Sequence, residues 1–329
     1  MPSVSIVIPA RYRVDLLEDT LVSVLEKRPR DAEVLVVHHG NYSDPYDLAD
    51  EVRFVRVDPQ SSFAEIIQAG ALASQGAVTH LLASGMRVTE GWLEPAMASF
   101  ESDVCGAVTP VIMDDEGHML SCGIHCGLAG SRKWTSTRHR SRSIGPPFEA
   151  AFFRRDLLLD LLEVNLRSNE LSYETLNVSL DWSLQVLGFH TDYVSDCRVL
   201  GPPPTMPTGS AFRAGSSAER LVLRHAEQIG RWRAVLLHPL ACTHQFVLDI
   251  VRGSAFQRLL GRVWGISNVA DARRHEAALL QLMVEYSTSA AEAGVDEAPT
   301  ESITIPISRA RRSRLRHDHD DFYPQARAG

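Results

Sequence analysis

Read for side chains able to do chemistry, the sequence offers a short and scattered set. Arg11 and Arg13 follow a first apolar run, Val4-Ser5-Ile6-Val7-Ile8-Pro9, where guanidinium groups can face an anion. His38 and His39 follow a second run, Val34–Val37, and could meet a nucleobase or a metal. Neighbouring side chains in a strand point apart, however, which favours a plainer structural role for the pair. Arg87 follows a third run; its planar fork suits phosphate, with a solvated loop position as the simpler account. Glu174 stands in a polar stretch as a candidate proton acceptor. Asp181 reads first as the cap of a short helix over 181–187 and second as a base. Asp114, Asp115 and Glu116 precede Gly117 between two apolar arms, so they read as turn residues rather than catalytic carboxylates. Cys122 and Cys126 are four apart, but no second Cys/His pair follows at finger spacing, which argues against a zinc finger.

Several common chemistries have no sequence basis. No Gly-x-Gly-x-x-Gly, Gly-x-x-x-x-Gly-Lys or Gly-x-Ser-x-Gly is present, which removes dinucleotide, P-loop and nucleophile-elbow readings. The chain has 329 residues, 33 basic against 41 acidic, for a net charge of −8, so no nucleic-acid partner is expected. Five cysteines without framework spacing suit a reducing compartment. The N-terminal residues do not read as a secretory leader, and no apolar run is long enough to span a bilayer. The expectation is a cytoplasmic protein, with peripheral contact at the inner face of a membrane as an option.

The elements that would position these residues alternate strand and helix over the first hundred positions. Asp15 and Glu18 resemble a capping box ahead of Leu17, Leu21, Val24 and Leu25. A second helix is marked by Phe63, Ile66, Ile67 and Ala71, a strand by 78–82, and a third helix by Leu93, Ala96, Met97 and Phe100. This order predicts a parallel α/β sheet whose ligand edge comprises residues 9–13, 38–41 and 83–87. A hairpin is expected at 111–120, a polar mobile loop at 132–145 and a stiff Pro202-Pro203-Pro204 linker. Only helical signals follow, from about 217 to 291. In the clearest of them, Phe256, Leu259, Leu260, Val263 and Trp264 form a stripe beside Arg252, Arg258 and Arg262. That stripe either packs on the rest of the chain or lies in a membrane interface. From 296 the Pro, Ser and Arg-rich composition predicts a disordered tail, whose His317–Asp321 cluster would make a weak metal site at best.

Taken in order, these segments resemble the family 2 glycosyltransferases of GT-A fold. The likeness rests on residues 4–9, 34–40 and the Gln68-Ala69-Gly70 helix. It continues through Leu81-Leu82-Ala83-Ser84-Gly85 with Thr89-Glu90-Gly91-Trp92-Leu93, the 114–117 hairpin, Phe153-Arg154-Arg155 and Asp181–Gly188, and covers roughly residues 1–200. It implies a mixed sheet flanked by helices in a GT-A domain over 1–205, with a helical region over 206–295 and a tail over 296–329. It also implies a nucleotide-diphospho-sugar, its diphosphate near Pro9, Arg11, Arg13, His39, Ser84 and Arg87, and a glycan or lipid-linked acceptor. Where the family's pattern has acidic groups, this chain departs. The base-reading position after Val37 is His38-His39. The Asp-x-Asp position is Ala83-Ser84-Gly85, the general-base position is Ser179, and the late metal-assisting histidine falls at about Gly201. The expectation drawn from these departures is that the usual divalent metal does not bind. Chemistry would then be altered or lost, with Glu174 and Asp181 as the remaining weak catalytic candidates. The alternative is an inactive relative that binds a nucleotide, glycan or partner as a scaffold.

Overall fold

The computed structural model describes residues 3–10, 14–40, 42, 44–135, 143–167, 171–201 and 210–292. Arg11, Arg13, the 202–204 prolines and the tail with its histidine cluster lie outside these residues. Strands β1 (Val4–Ala10), β2 (Glu33–His38), β3 (Arg53–Arg56) and β4 (Val78–Leu81) pair in parallel in the order β3-β2-β1-β4. Helix α1 (Leu17–Lys27) connects β1 to β2, and α2 (Phe63–Ala73) connects β3 to β4. After β5 (Arg87–Val88) and α3 (Leu93–Ser99), strand β6 (Cys105–Met113) continues the sheet and turns back through β7 (Met119–Ser121). Two short strands, β8 (Ile124–Cys126) and β9 (Arg132–Trp134), form a separate pair.

The halves of the main sheet are joined by β10 (Phe152–Arg154), which runs antiparallel between β4 and β6. Helices α4 (Arg155–Leu166) and α5 (Tyr173–Val186) follow, and β11 (His190–Leu200) pairs β6 in parallel and β5 in antiparallel sense. Among the described residues, nine strands thus make one mixed sheet with helices on both faces. Strand alternation divides the core between those faces. Val7, Leu35, Val37 and Leu81 pack with α2, α4 and α5. Ile6, Ile8, Val34 and Val36 pack on the other side with Leu17, Leu21, Trp92 and Leu93.

Helices α6 (Ala211–Arg224), α7 (Ala226–Ile229), α8 (Arg231–Val251), α9 (Ala255–Ile266) and α10 (Val269–Glu292) complete the described chain. Leu279, Leu282 and Tyr286 of α10 enter the same core as α2 and α4, and the Tyr286 hydroxyl donates to Asp160 Oδ2 at 2.8 Å. Helices α6 and α9 cross at Gly215, Gly261 and Gly265. A side chain at Gly261 would run into the Phe212 carbonyl, and one at Gly215 into that of Arg258.

Three local expectations are corrected. The capping box is not at Asp15 and Glu18, because α1 starts from a 3-10 turn (Val14–Leu16) without a side-chain cap at Leu16. Ser62 and Glu65 make the box instead, at α2. Residues 132–134 of the expected mobile loop are strand β9, fixed by the buried Arg132 side chain. The helix expected at 181–187 begins eight residues earlier at Tyr173, so Asp181 sits in its interior and Ser172 holds the N-cap position. Glu174 is accordingly in the first turn of α5, not in a loop.

Gly261→Ala should destabilise the chain by about 1–3 kcal/mol, because backbone must move to admit the methyl group. Urea unfolding would show a lower midpoint with an unchanged slope.

Candidate functional site

The carboxyl ends of β1, β2 and β4 lie at one edge of the sheet, where open α/β sheets bind ligands. Pro9 is the penultimate residue of β1, and its carbonyl accepts from Ser84 Oγ at 3.5 Å. The Ala83–Gly85 turn is held from three sides. Ala83 N donates to Glu149 O at 2.9 Å, Gly85 N to Thr20 Oγ1 at 2.8 Å, and Met86 N to Ala83 O at 3.0 Å. Gly85 takes φ +95, and a Cβ there would press on Leu16 Cδ1.

At the end of β2 the two imidazoles part, as strand geometry requires. His39 Nδ1 lies 2.8 Å from the Asp58 carbonyl. His38 Nδ1 accepts from Gly40 N at 3.2 Å, and burial followed by the Arg56 charge lowers its pKa, so the ring is neutral. Tyr42 stacks on Phe54 at 5.7 Å between ring centroids, and His38 meets both rings edge-on. Sequence reasoning missed this aromatic group; Phe54 inside the alternating Arg53-Phe54-Val55-Arg56 was the available signal.

Arg87 of β5 is ion-paired with Asp115 on the β6–β7 turn. Their side chains are 42% and 70% exposed, so the pair is weakly held and an incoming anion can exchange for Asp115. The turn itself forms as expected: Asp114 N donates to His118 O at 2.9 Å, and Gly117 takes φ +83.

A second group, absent from the sequence reading, lies beneath residues 144–149. Arg132 Nη1 and Nη2 meet Glu149 Oε2 and Oε1 at 2.9 and 2.6 Å, with both side chains almost wholly out of water. Burial works against the Arg132 charge, but Glu149, with Tyr173 and Glu174, together more than offset it. Asn177 of α5 uses its whole amide: Oδ1 accepts from Arg132 Nη1 at 3.0 Å and Phe148 N at 3.1 Å. Its Nδ2 donates to Pro146 O at 3.0 Å and Asp181 Oδ2 at 3.2 Å. An acid within the apolar run 148–153 was the one sequence signal for this cluster.

Asp181 is fully buried against Gly145. Burial raises its carboxyl well above the usual carboxylate range, against a smaller pull from Arg132. It is therefore neither a helix cap nor an ionised base. Glu174 is exposed at the start of the same helix, near enough to Arg132 to favour its charge. Ser179 is buried, with Oγ 3.0 Å from Asn165 Oδ1 and 2.9 Å from His225 Nε2. Pro9 and Ser84 thus meet at this edge and His39 stands just past the end of β2, whereas Arg87 lies on β5 beside β11; Glu174 is on the surface and Asp181 is buried.

No protein-family model matches the chain, and no curated protein sequence does. Solved structures do. GalNAc-T7 with UDP, GalNAc and Mn2+ is 15% identical with a TM-score of 0.53, the match covering 68% of this chain and 48% of that one. The mannosyltransferase PcManGT from Pyrobaculum calidifontis, in complex with GDP-Man and Mn2+, is 15% identical with a TM-score of 0.46 over 85% and 86% of the two chains. TarS 1-349 of S. aureus is 12% identical with a TM-score of 0.47 over 69% and 66%. The match spans about half the length of the GalNAc-T7 chain. The chain has the GT-A glycosyltransferase fold.

This likeness corrects the expectation that no divalent ion belongs with the cleft, since GalNAc-T7, which shares the fold, is crystallised with UDP and Mn2+. The 83–85 turn alone offers one side-chain oxygen, Ser84 Oγ, directed at Pro9 O. An ion at this turn would need ligands beyond Ser84.

The neutral Asp181 has a measurable consequence. The folded chain keeps this proton after the unfolded chain has lost it, so the residue's contribution to stability falls as pH rises above about 4. Asp181→Asn removes that slope. The variant should gain on the parent as pH rises above about 4, by up to about 1.4 kcal/mol per unit, read from urea midpoints across pH.

Proposed function

We propose that this GT-A chain binds a nucleotide-diphospho-sugar over the carboxyl edge of β1, β2 and β4. The sugar would pass to a hydroxyl of a glycan or lipid-linked acceptor. What supports this reading is the meeting of Pro9 and Ser84 at that edge, with His39 just past the end of β2 and the exchangeable Arg87 three residues beyond Ser84. Arg87 trades Asp115 for diphosphate oxygens, and the His38–Tyr42–Phe54 group offers an aromatic face for a base. Arg11 and Arg13 follow β1 in sequence. Glu174, exposed beside Arg132, accepts the acceptor's proton as its oxygen bonds to the anomeric carbon and the bond to the diphosphate oxygen breaks. A divalent ion, when bound, would neutralise charge growing on the departing diphosphate.

A second reading, binding without turnover, is favoured by two particular residues. Ser179 is a buried hydroxyl engaged by Asn165 and His225, and the Asp181 carboxyl is neutral and enclosed. Under either reading, residues 1–205 form the sugar-nucleotide part and 206–295 a helical appendage. The outward face of α8 and α9 supports peripheral contact with an anionic membrane. Trp232, Leu236, Leu240, Val247, Phe256 and Trp264 are exposed there, as is Arg252. The one acidic residue between 231 and 270, Asp249, is buried. No described helix is long and apolar enough to cross a membrane.

Calorimetric titration with UDP- and GDP-sugars, with and without Mn2+, tests the binding. Arg87→Ala should weaken it by about 10-fold or more, and absence of binding in the parent overturns the proposal. Where transfer is detected, Glu174→Gln should lower kcat by about 10²–10⁴-fold with little change in donor affinity; full turnover in that variant would remove Glu174 from the reaction. Sedimentation with vesicles containing phosphatidylserine should recover the protein, and Phe256→Asp with Trp264→Asp should leave it in the supernatant.

A further inference from the structure

Away from the sheet edge, three side chains of different chemistry meet where α6 and α8 pack under residues 127–130. Glu219 comes from α6, while His238 and Cys242 stand one helical turn apart on α8. His238 Nε2 is 3.1 Å from Glu219 Oε1 and 3.4 Å from Cys242 Sγ, and Sγ is 3.8 Å from that same Oε1. We propose that Glu219, His238 and Cys242 bind a zinc ion that clasps α6 to α8.

The separations carry the argument. With Zn–N and Zn–O near 2.0 Å and Zn–S near 2.3 Å, the edges of a tetrahedral site are about 3.3–3.6 Å. The three ligand atoms already stand at about those spacings. The surroundings are those of ligands held from behind. His238 Nδ1 donates to Leu128 O at 2.6 Å, which leaves Nε2 to face inward. Arg262 Nη1 holds Glu219 Oε1 at 2.5 Å, and its Nη2 donates to Ala129 O at 3.0 Å. Glu219 and His238 are 5% and 8% exposed, too buried for an ordinary surface ion pair. Cys242 and Arg262 also line a cavity of about 250 Å³ between α8 and α9, from which water can complete the tetrahedron.

The test uses the full chain, stripped with chelator and titrated with Zn2+ alone, then with Co2+. One zinc per chain is expected, and the cobalt form should show a near-ultraviolet thiolate charge-transfer band with strong tetrahedral visible bands. Cys242→Ser should abolish the charge-transfer band, and His238→Gln should weaken Zn2+ binding by about 100-fold or more. Cys105→Ala should leave both unchanged, because the other cysteine-containing cluster, Cys105 with His190 and Asp192, is separate. Circular dichroism confirms that each variant is folded. A parent protein that takes up no stoichiometric zinc, or a cobalt band that survives Cys242→Ser, overturns the proposal.

Discussion

The constraint on which the site depends is the removal of two full charges, Arg132 and Glu149, from water. Each costs several kcal/mol to desolvate, and the cost is met only by a bidentate pair with its remaining valences filled. Meeting that condition fixes three segments at once: β9 through Arg132, residues 145–149 through Glu149, and α5 through Asn177. The same segment reaches the opposite side of the cleft, since Glu149 O takes the Ala83 amide and Ala151 O takes that of Leu81 at 2.7 Å. The turn that would lie under a diphosphate and the helix that presents Glu174 are therefore parts of one bonded unit. Loss of either charge would leave the other buried and unpaired, which is why this pair outweighs the exposed Arg87–Asp115 contact in fixing the cleft.

Much of the scaffold was legible because its strands are buried on both faces. Residues 4–8 and 34–37 read as short apolar runs and 78–82 as a further strand, and they become β1, β2 and β4. Strands with a wet face left weaker marks. Arg53–Arg56 carries charge at both ends, and the eleven residues of β11 are largely polar with several exposed. Helix α5 hid its start because it is buried nearly all round and its buried residues include Thr175, Asn177, Ser179, Asp181 and Ser183, a polar set that reads as a loop until its partners are known. The site divides in the same way. Arg87 and Ser84 could be placed by counting from the neighbouring strand, but Arg132, Glu149 and Asn177 have meaning only through contacts between residues 17 and 45 positions apart.

The C-terminal helices obey different rules from the sheet. Helix α10 is tied in by aromatic and aliphatic packing and by the Tyr286–Asp160 hydrogen bond. Helices α6 and α9 approach through glycines, so their contact depends on backbone proximity rather than on large side chains. With its inward side occupied by Gly261, Arg262 and Gly265, α9 has no large apolar residue to bury there, and its aliphatic and aromatic groups point outward. The exposed stripe is thus a product of how closely the helix lies on its neighbour.

The position of β10 carries a further consequence for how the chain comes off the ribosome. The hydrogen bond joining His80 to Ala151 closes a gap of 71 residues, and no strand can occupy the flank of β4 before that later segment has been translated. During this interval a nascent chain presents an open, apolar sheet margin, the kind of surface that attracts stray pairing with other unfinished polypeptides. Slow or interrupted synthesis between β4 and β10 would prolong that exposure.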